Sequence, residues 1–403
     1  MAIEEEWKTG EQLIGPEEER LSAAELGIRE NSEPLFLEKI ELHRKTLELV
    51  QPFETSFGRF DQLTRVFPAI TFRSNSGDLV TGIGECPPLP APWYDGECDG
   101  TVAVALQYII SSLMADPGPV TDAASFLNRY RWIVGHNMAK AGIEGAYWDA
   151  VARLHGISVR ELWGGTRGSV EAGTSVGLEE TPEEMMRKID VAVGTMRAAR
   201  VKIKVKPGKD VAYVAAIRAR YPDLRLQVDA NAAYDLFDSR HRAALKELDR
   251  YELMMIEQPG RNDDILDHAR LLADLATPVC LDESILHARH ARQAIECWQR
   301  YSLLCNLVIN IKPPRVGGYL EAIRIARLCH NHGVPVWCGG MLESALGKAC
   351  NIHFSSREEV TLPGDHISQG PYFREDVAQS LPCRDGRIEL PEGIGWGLGE
   401  VRF

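Results

Sequence analysis

The chain has 403 residues, 44% hydrophobic and 26% charged, which is long enough for two domains or for one large barrel with an elaboration. A formal charge of −13 argues against nucleic acid and anionic membrane surfaces, which are held mainly by clustered Lys and Arg, and leaves small molecules and metal ions as expected partners. No apolar run approaches the roughly 18 residues of a membrane span, and the start MAIEEEWKTG is acidic where a signal segment is basic and then apolar, so a cytoplasmic protein is expected.

Residues 1–34 hold ten glutamates against Lys8, Arg20 and Arg29, a composition that predicts a mobile acidic extension. From LFLEKIELHRKTLEL to LVTGIGECPP the chain alternates as strands do, with SNSGD supplying turn chemistry between two runs. Helical spacing follows in TVAVALQYIISSLMA and NMAKAGIEGAYWDAVARLHG. After about residue 168 the rhythm becomes short apolar strand, loop, amphipathic helix. Its strands read EAGTSVGL, RVKIKVK, LRLQVDAN, LMMIEQP, PVCLDES, NLVINIKP, VPVWCGGM and VTLPGD. Eight strands with seven or eight crossovers in about 200 residues fit a parallel barrel. A doubly wound sheet is the alternative, but no G-x-G-x-x-G turn accompanies any strand.

Nine scattered cysteines without a Cys-x-x-Cys pair read as reduced, mostly buried thiols. Cys338, at a strand end in VWCGGM, has no general base near it in sequence and is read as structural rather than nucleophilic.

The charges that carry chemistry fall on strand ends. Lys204, Asp229, Glu257, Asp282 and Lys312 follow one another at intervals of 25, 28, 25 and 30 residues, about one strand–helix unit each. In a barrel these positions converge on one mouth. One acid after a strand is most simply a turn or helix-cap residue; three at successive strand ends crowd together and repel unless a cation lies among them. Oxygen donors without His or Cys favour a hard divalent ion, Mg²⁺ or Mn²⁺. In VKIKVKPG, Lys202, Lys204 and Lys206 share one strand face. A barrel strand has no solvated edge, so the face points into the barrel or its mouth. Lys202 beside Lys204 disfavours its neighbour's charge, which suits Lys204 as a base, while Lys206, next to the Pro207–Gly208 turn, reaches solvent. Lysines facing a carboxylate-held metal suit proton removal α to a carboxylate.

VKIKVKPG, QVDAN, IEQP, CLDES, NIKPPRVGGYLEA and GVPVWCGGMLESALG, together with HNMAKAGIEGAYWDA, RELWGG and LPEGIGWGLGEV, resemble the enolase superfamily, within it the branch of o-succinylbenzoate synthases and N-acylamino acid racemases, from about residue 38 to the end. The resemblance implies an α/β fold, a (β/α)7β TIM-like barrel at 168–365 with an N-terminal α+β capping domain at 35–167 and a C-terminal segment at 366–403 returning to it. It implies Lys204 as base, Lys312 on the opposite face, Lys202 as tuner, and Asp229, Glu257 and Asp282 as ligands of Mg²⁺, with Mn²⁺ a substitute. Asn231 and Glu283 would orient those ligands, and Ser175, Tyr94, Met341 and Arg315 would contact a small carboxylate substrate. ETSFG and PLPAPWYDGE would form the lid over the mouth, and a homo-oligomer is expected. IKPPRVGG has a second proline where the family usually has glycine, which bears on how Arg315 is set. The implied activity is syn dehydration of a cyclohexadiene carboxylate to o-succinylbenzoate, a step of menaquinone synthesis; racemisation of N-acylamino acids is the alternative, and a catalytically silent binding protein a remote one. Lys312 at the end of the sixth barrel strand disfavours acid-sugar dehydratases, which place histidine there.

Overall fold

The computed structural model of the protein describes residues 20–55, 58–367 and 372–403. Three antiparallel strands come first, β1 (Phe36–Glu54), β2 (Arg59–Arg73) and β3 (Leu79–Ile83), with β2 in the centre. The SNSGD segment makes the β2–β3 turn: the Ser74 amide bonds Asp78 O at 2.9 Å, and Gly77 takes the positive φ of 94° that the turn requires. Helices α1 (Asp99–Ala115) and α2 (Asn137–His155) cover this sheet. The α2 helix is buried from Ala141 to Ala152, and its small residues let β3 approach closely: a Cβ on Gly84 would lie 2.0 Å from Gly142 O.

Among the described residues, eight parallel strands then alternate with seven longer helices: β4 (Ser169–Val176), α3 (Pro182–Gly194), β5 (Val201–Lys204), α4 (Val211–Arg220), β6 (Leu226–Asp229), α5 (Ser239–Leu248), β7 (Ile256–Glu257), α6 (Ile265–Leu271), β8 (Val279–Leu281), α7 (Ala288–Arg300), β9 (Leu307–Ile311), α8 (Tyr319–Asn331), β10 (Val336–Cys338), α9 (Ala345–Ser355) and β11 (Gly364–Ile367). Parallel ladders run without a break from β4 to β10, and β11 pairs β4. The amides of Thr361 and Leu362 bond Val336 O and join the last two strands, so the ring is a closed barrel. Closure removes sheet edges, which forces every second side chain of each strand inward. A hairpin, β12 (Cys383–Arg384) and β13 (Arg387–Glu389), adds to the start of β4.

The final segment runs back to the first sheet. Arg374 N bonds Glu48 O, Val50 N bonds Tyr372 O, and Trp396 donates its indole N–H to Ile83 O at 2.6 Å. The expectation of a mobile extension through residue 34 needs correction at its C-terminal end. Residues 1–19 lie outside the described residues, but Ala23, Leu26 and Ile28 are buried in the main core, and Leu26 O accepts from the Arg357 guanidinium at 3.0 Å. The net charge of the stretch hid this short apolar anchor. All nine cysteines are free, five of them buried. No helix among the described residues is long and apolar enough to cross a membrane.

Candidate active site

Strand β5 shows why lysines enter a core. Val201 and Ile203 pack into the apolar layer between barrel and helices, which leaves Lys202 and Lys204 on the inward face. Both reach Asp229 Oδ2, Lys202 at 3.1 Å and Lys204 at 2.5 Å. Lys206 lies past the strand and is half-buried.

The ladder register places the acids at one level. Lys204 stands beside Asp229 and Asp229 beside Glu257, while Asp282 follows the end of β8. One carboxylate oxygen from each of Asp229, Glu257 and Asp282 can be chosen so that all three lie within 4.8 Å of one another, and all three residues are buried. Their other contacts orient them. Asp229 Oδ1 accepts the Asn231 amide (3.0 Å), Glu257 accepts from Asn310 and Gln227 (2.7 Å each), and Asp282 accepts from Lys312 (2.9 Å), the Tyr94 hydroxyl (2.9 Å) and Arg315. Asn231 also donates to Glu283 at 2.8 Å.

Positive charge is shared unevenly among these acids. For Asp229, burial works against ionisation but Lys204 and Lys202 outweigh it, and the carboxyl is held below its ordinary range. For Asp282, burial is outweighed by Lys312 and Arg315, with the same result. Glu257 differs: burial and then Asp229 push it up to about 7 despite Lys202. Glu283 is pushed up to about 8 by burial and then Asp282, and its buried Oε2 has no hydrogen-bond partner among the described residues. Three buried carboxylates that bring oxygens within 4.8 Å of one another, with the ionisation of Glu257 opposed by burial and by Asp229, form an all-oxygen donor set that fits a hard divalent cation.

Lys202 and Lys312 are held as cations. Burial disfavours the Lys202 charge, but Asp365, Glu257 and Asp229 raise its pKa well above the ordinary value; for Lys312, Asp282 and then Tyr94 outweigh burial in the same sense. Lys202 sits 2.9 Å from Asp365, which also receives Arg200 (2.7 Å) and the Ser175 hydroxyl (3.0 Å).

Above the acids a crevice is lined by Lys204, Lys312, Ser175, Asp365 and Leu342, with Phe53 of β1 and Tyr372 of the returning segment closing it. The structure therefore brings together Lys202, Lys204, Lys312, Asp229, Glu257, Asp282, Asn231, Glu283 and Ser175. It places three expected substrate contacts elsewhere. Arg315 is fully buried, bonding Asp282, Ile285 O (2.9 Å), Asn310 O (2.5 Å) and the Tyr94 hydroxyl (3.3 Å), because the Pro313–Val316 helical turn folds its side chain back under the site. The Met341 side chain joins the core while its neighbours Gly340 and Leu342 face the crevice. Tyr94 lies beneath the crevice, with the Lys312 ammonium 3.0 Å from its hydroxyl and 4.5 Å from its ring centroid. Of the ETSFG lid, Ser56 and Phe57 lie outside the described residues; Gly58 packs against the Trp93 ring, so a Cβ there would stand 2.7 Å from it, and the two expected lid segments touch. Cys338 is buried and its thiol pushed up by burial, as suits a structural role.

Gln227, Asn310 and Asp365 were absent from the sequence expectations. The first two stand two residues before Asp229 and Lys312, so strand alternation alone puts them inward; a neutral amide attracts no notice until its carboxylate partner is placed.

Residues 39–164 match the family described as mandelate racemase / muconate lactonizing enzyme, N-terminal domain, and residues 184–399 the family described as enolase C-terminal domain-like. The chain is 42% identical over 368 residues to the o-succinylbenzoate synthase of Bacillus subtilis (strain 168), covering 90% of this chain and 94% of that protein. It is 39% identical over 370 residues to the N-succinylamino acid racemase of Amycolatopsis sp, covering 91% and 95%. A crystal structure of an enolase superfamily member from Listeria innocua superposes with a TM-score of 0.82 at 34% identity, covering 91% of this chain and 95% of that one.

Proposed function

The chain belongs to the enolase superfamily, and from that premise we propose that it is an o-succinylbenzoate synthase, a lyase that removes water from 2-succinyl-6-hydroxy-2,4-cyclohexadiene-1-carboxylate. The observation that carries this reading is the placement of Lys204 at the end of the second of eight barrel strands and of Lys312 directly after the sixth, across the ring from each other, both lining the crevice over the acidic triad.

Asp229, Glu257 and Asp282 would hold Mg²⁺. Bound there, the ion would supply concentrated positive charge that lowers the cost of the negative charge developing on the substrate carboxylate when the α-carbon loses its proton. Lys204 takes that proton and passes it to the hydroxyl leaving the adjacent carbon on the same face. Water departs and the ring becomes aromatic, so one base serves both transfers. Lys202, held cationic by Asp365, Glu257 and Asp229, stands on the same inward strand face as Lys204 and shares Asp229 Oδ2 with it. Lys312 faces the other side of the substrate and contributes charge. Asn231, Gln227 and Asn310 hold the triad's oxygens in place.

The same opposed lysines also support a second reading, racemisation of N-succinylamino acids, because a proton removed on one face can be returned on the other. Assaying the purified Mg²⁺-loaded protein with both substrates tests these readings. Dehydration with a clearly higher kcat/KM supports the lyase as the principal activity, the reverse ranking supports the racemase, and turnover of neither rejects both.

A further inference from the structure

A second set of buried charges joins the first sheet to the crevice, at a distance from the acidic triad. Arg65 on β2 is fully buried and donates from Nη2 to two successive carbonyls, Met341 O at 3.0 Å and Leu342 O at 2.9 Å. Its Nη1 bonds Pro88 O at 2.5 Å and Thr64 O at 3.1 Å. Glu85, just past β3, stands 3.6 Å from Arg65 Nε, and its carboxylate accepts the Ser344 amide (3.0 Å), the Ser344 hydroxyl (2.5 Å) and the Gly347 amide (2.8 Å). These contacts hold the loop between β10 and α9 and the first turn of α9.

Leu342 in that loop has φ of 56°, a left-handed conformation that costs a non-glycine residue and survives where its surroundings fix it. The two carbonyls bound by Arg65 belong to the peptide groups on either side of the Leu342 Cα, so one guanidinium fixes both backbone torsions of this residue. Leu342 is also a wall of the crevice, with Gly340 and Glu343 beside it. Arg65 on β2 and Glu85 just past β3, each more than 250 positions away in sequence, thereby set where a barrel loop presents its side chain to the substrate.

We propose that Arg65, backed by Glu85, is a positioning residue for substrate selection: by holding Leu342 in its left-handed conformation it sets the crevice wall that contacts the group carried on the substrate's α-carbon. This rests on the reading of the crevice as a carboxylate-substrate site, but its backbone half can be measured without any substrate.

The test uses the full-length Mg²⁺-loaded protein and three variants: Arg65→Lys, which keeps the charge facing Glu85 but cannot reproduce the fork to both carbonyls; Arg65→Gln with Glu85→Gln, which leaves no unpaired buried charge; and Leu342→Gly, which keeps both anchors and removes the wall. In Arg65→Lys and in the double variant, amide exchange of peptides covering 339–347 should quicken by about tenfold or more while that of 201–229 is unchanged. With N-succinylamino acids, KM should rise about tenfold with kcat within about threefold, and in the Leu342→Gly background the same changes should add less than about twofold. Wild-type exchange in Arg65→Lys, or effects fully additive with Leu342→Gly, would overturn the proposal. If the double variant does not fold, Arg65→Lys alone decides. If wild-type protein turns over neither substrate, the activity reading fails, and loop exchange still decides whether Arg65 fixes Leu342.

Discussion

Asn310 Nδ2 stands 2.7 Å from Glu257 Oε1, and Gln227 Nε2 is at the same distance from Oε2, so both oxygens of the central acid carry an amide donor before any cation is considered. Such partners fix the direction of a ligand's lone pairs. Asn310→Ala should weaken Mg²⁺ binding about ten- to a hundredfold, read by titration calorimetry, with the fold retained. Affinity equal to wild type would remove Asn310 from any role in holding the site.

The pH dependence of stability has a source remote from the triad. Glu144 on α2 is buried and accepts from the Leu320 amide (2.7 Å) and the Trp148 indole (2.8 Å), tying α2 to α8; burial pushes its carboxyl from 4.5 to about 7. The folded protein therefore keeps this proton over a range where the unfolded chain has lost it. The contribution is fully present below pH 4.5 and is lost as pH rises toward 7, at a cost of about 3 kcal/mol. Gln can accept the same two hydrogen bonds without ionising. In chelator-treated protein, Glu144→Gln should flatten part of the fall in unfolding free energy between pH 5 and pH 8. Identical pH slopes in variant and wild type would contradict this assignment.

Leu26 is fully buried and its carbonyl bonds Arg357, so the apolar turn at residues 23–28 belongs to the core despite its acidic surroundings. Leu26→Ala should cost about 2–4 kcal/mol in denaturant unfolding and leave kcat nearly unchanged. A cost under about 0.5 kcal/mol, the range of surface positions, would show that the turn does not pack as described.

Much of the barrel and its acids was legible because two periodicities coincide there: side-chain alternation within each strand, and the repeat of about 25 to 30 residues that returns Lys204, Asp229, Glu257, Asp282 and Lys312 to one end of the ring. Both are local or regular. The missed or misplaced residues depend on contacts between distant parts of the chain. Arg65 on β2 reads as one more charge on a strand until it meets Met341 O, 276 residues later. Arg315 reads as a free cation above the site until the Pro313–Val316 turn sends it beneath Asp282. Leu26 disappears among glutamates because net charge over a window does not record which face a few apolar residues bury.

The division of labour between Lys204 and Lys312 can be read from proton exchange in deuterated water. Racemisation must use both faces, whereas syn dehydration needs one base. With N-succinylamino acids, Lys204→Ala should leave α-hydrogen exchange in one enantiomer only, Lys312→Ala should leave it in the other, and neither should racemise. Lys312→Arg should retain dehydration while losing racemisation, since charge alone is then asked of that position.

Conversion of the cyclohexadiene carboxylate to o-succinylbenzoate by Mg²⁺-loaded wild type and Lys204→Ala, followed by the absorbance of the aromatic product, bears most heavily on the proposed activity. Efficient wild-type turnover that falls by 10³-fold or more in Lys204→Ala, roughly what loss of a general base costs together with the charge arrangement built around it, is the expected result. A wild-type protein that binds Mg²⁺ yet leaves this substrate unchanged, or a Lys204→Ala variant that dehydrates it at the wild-type rate, would contradict the assignment.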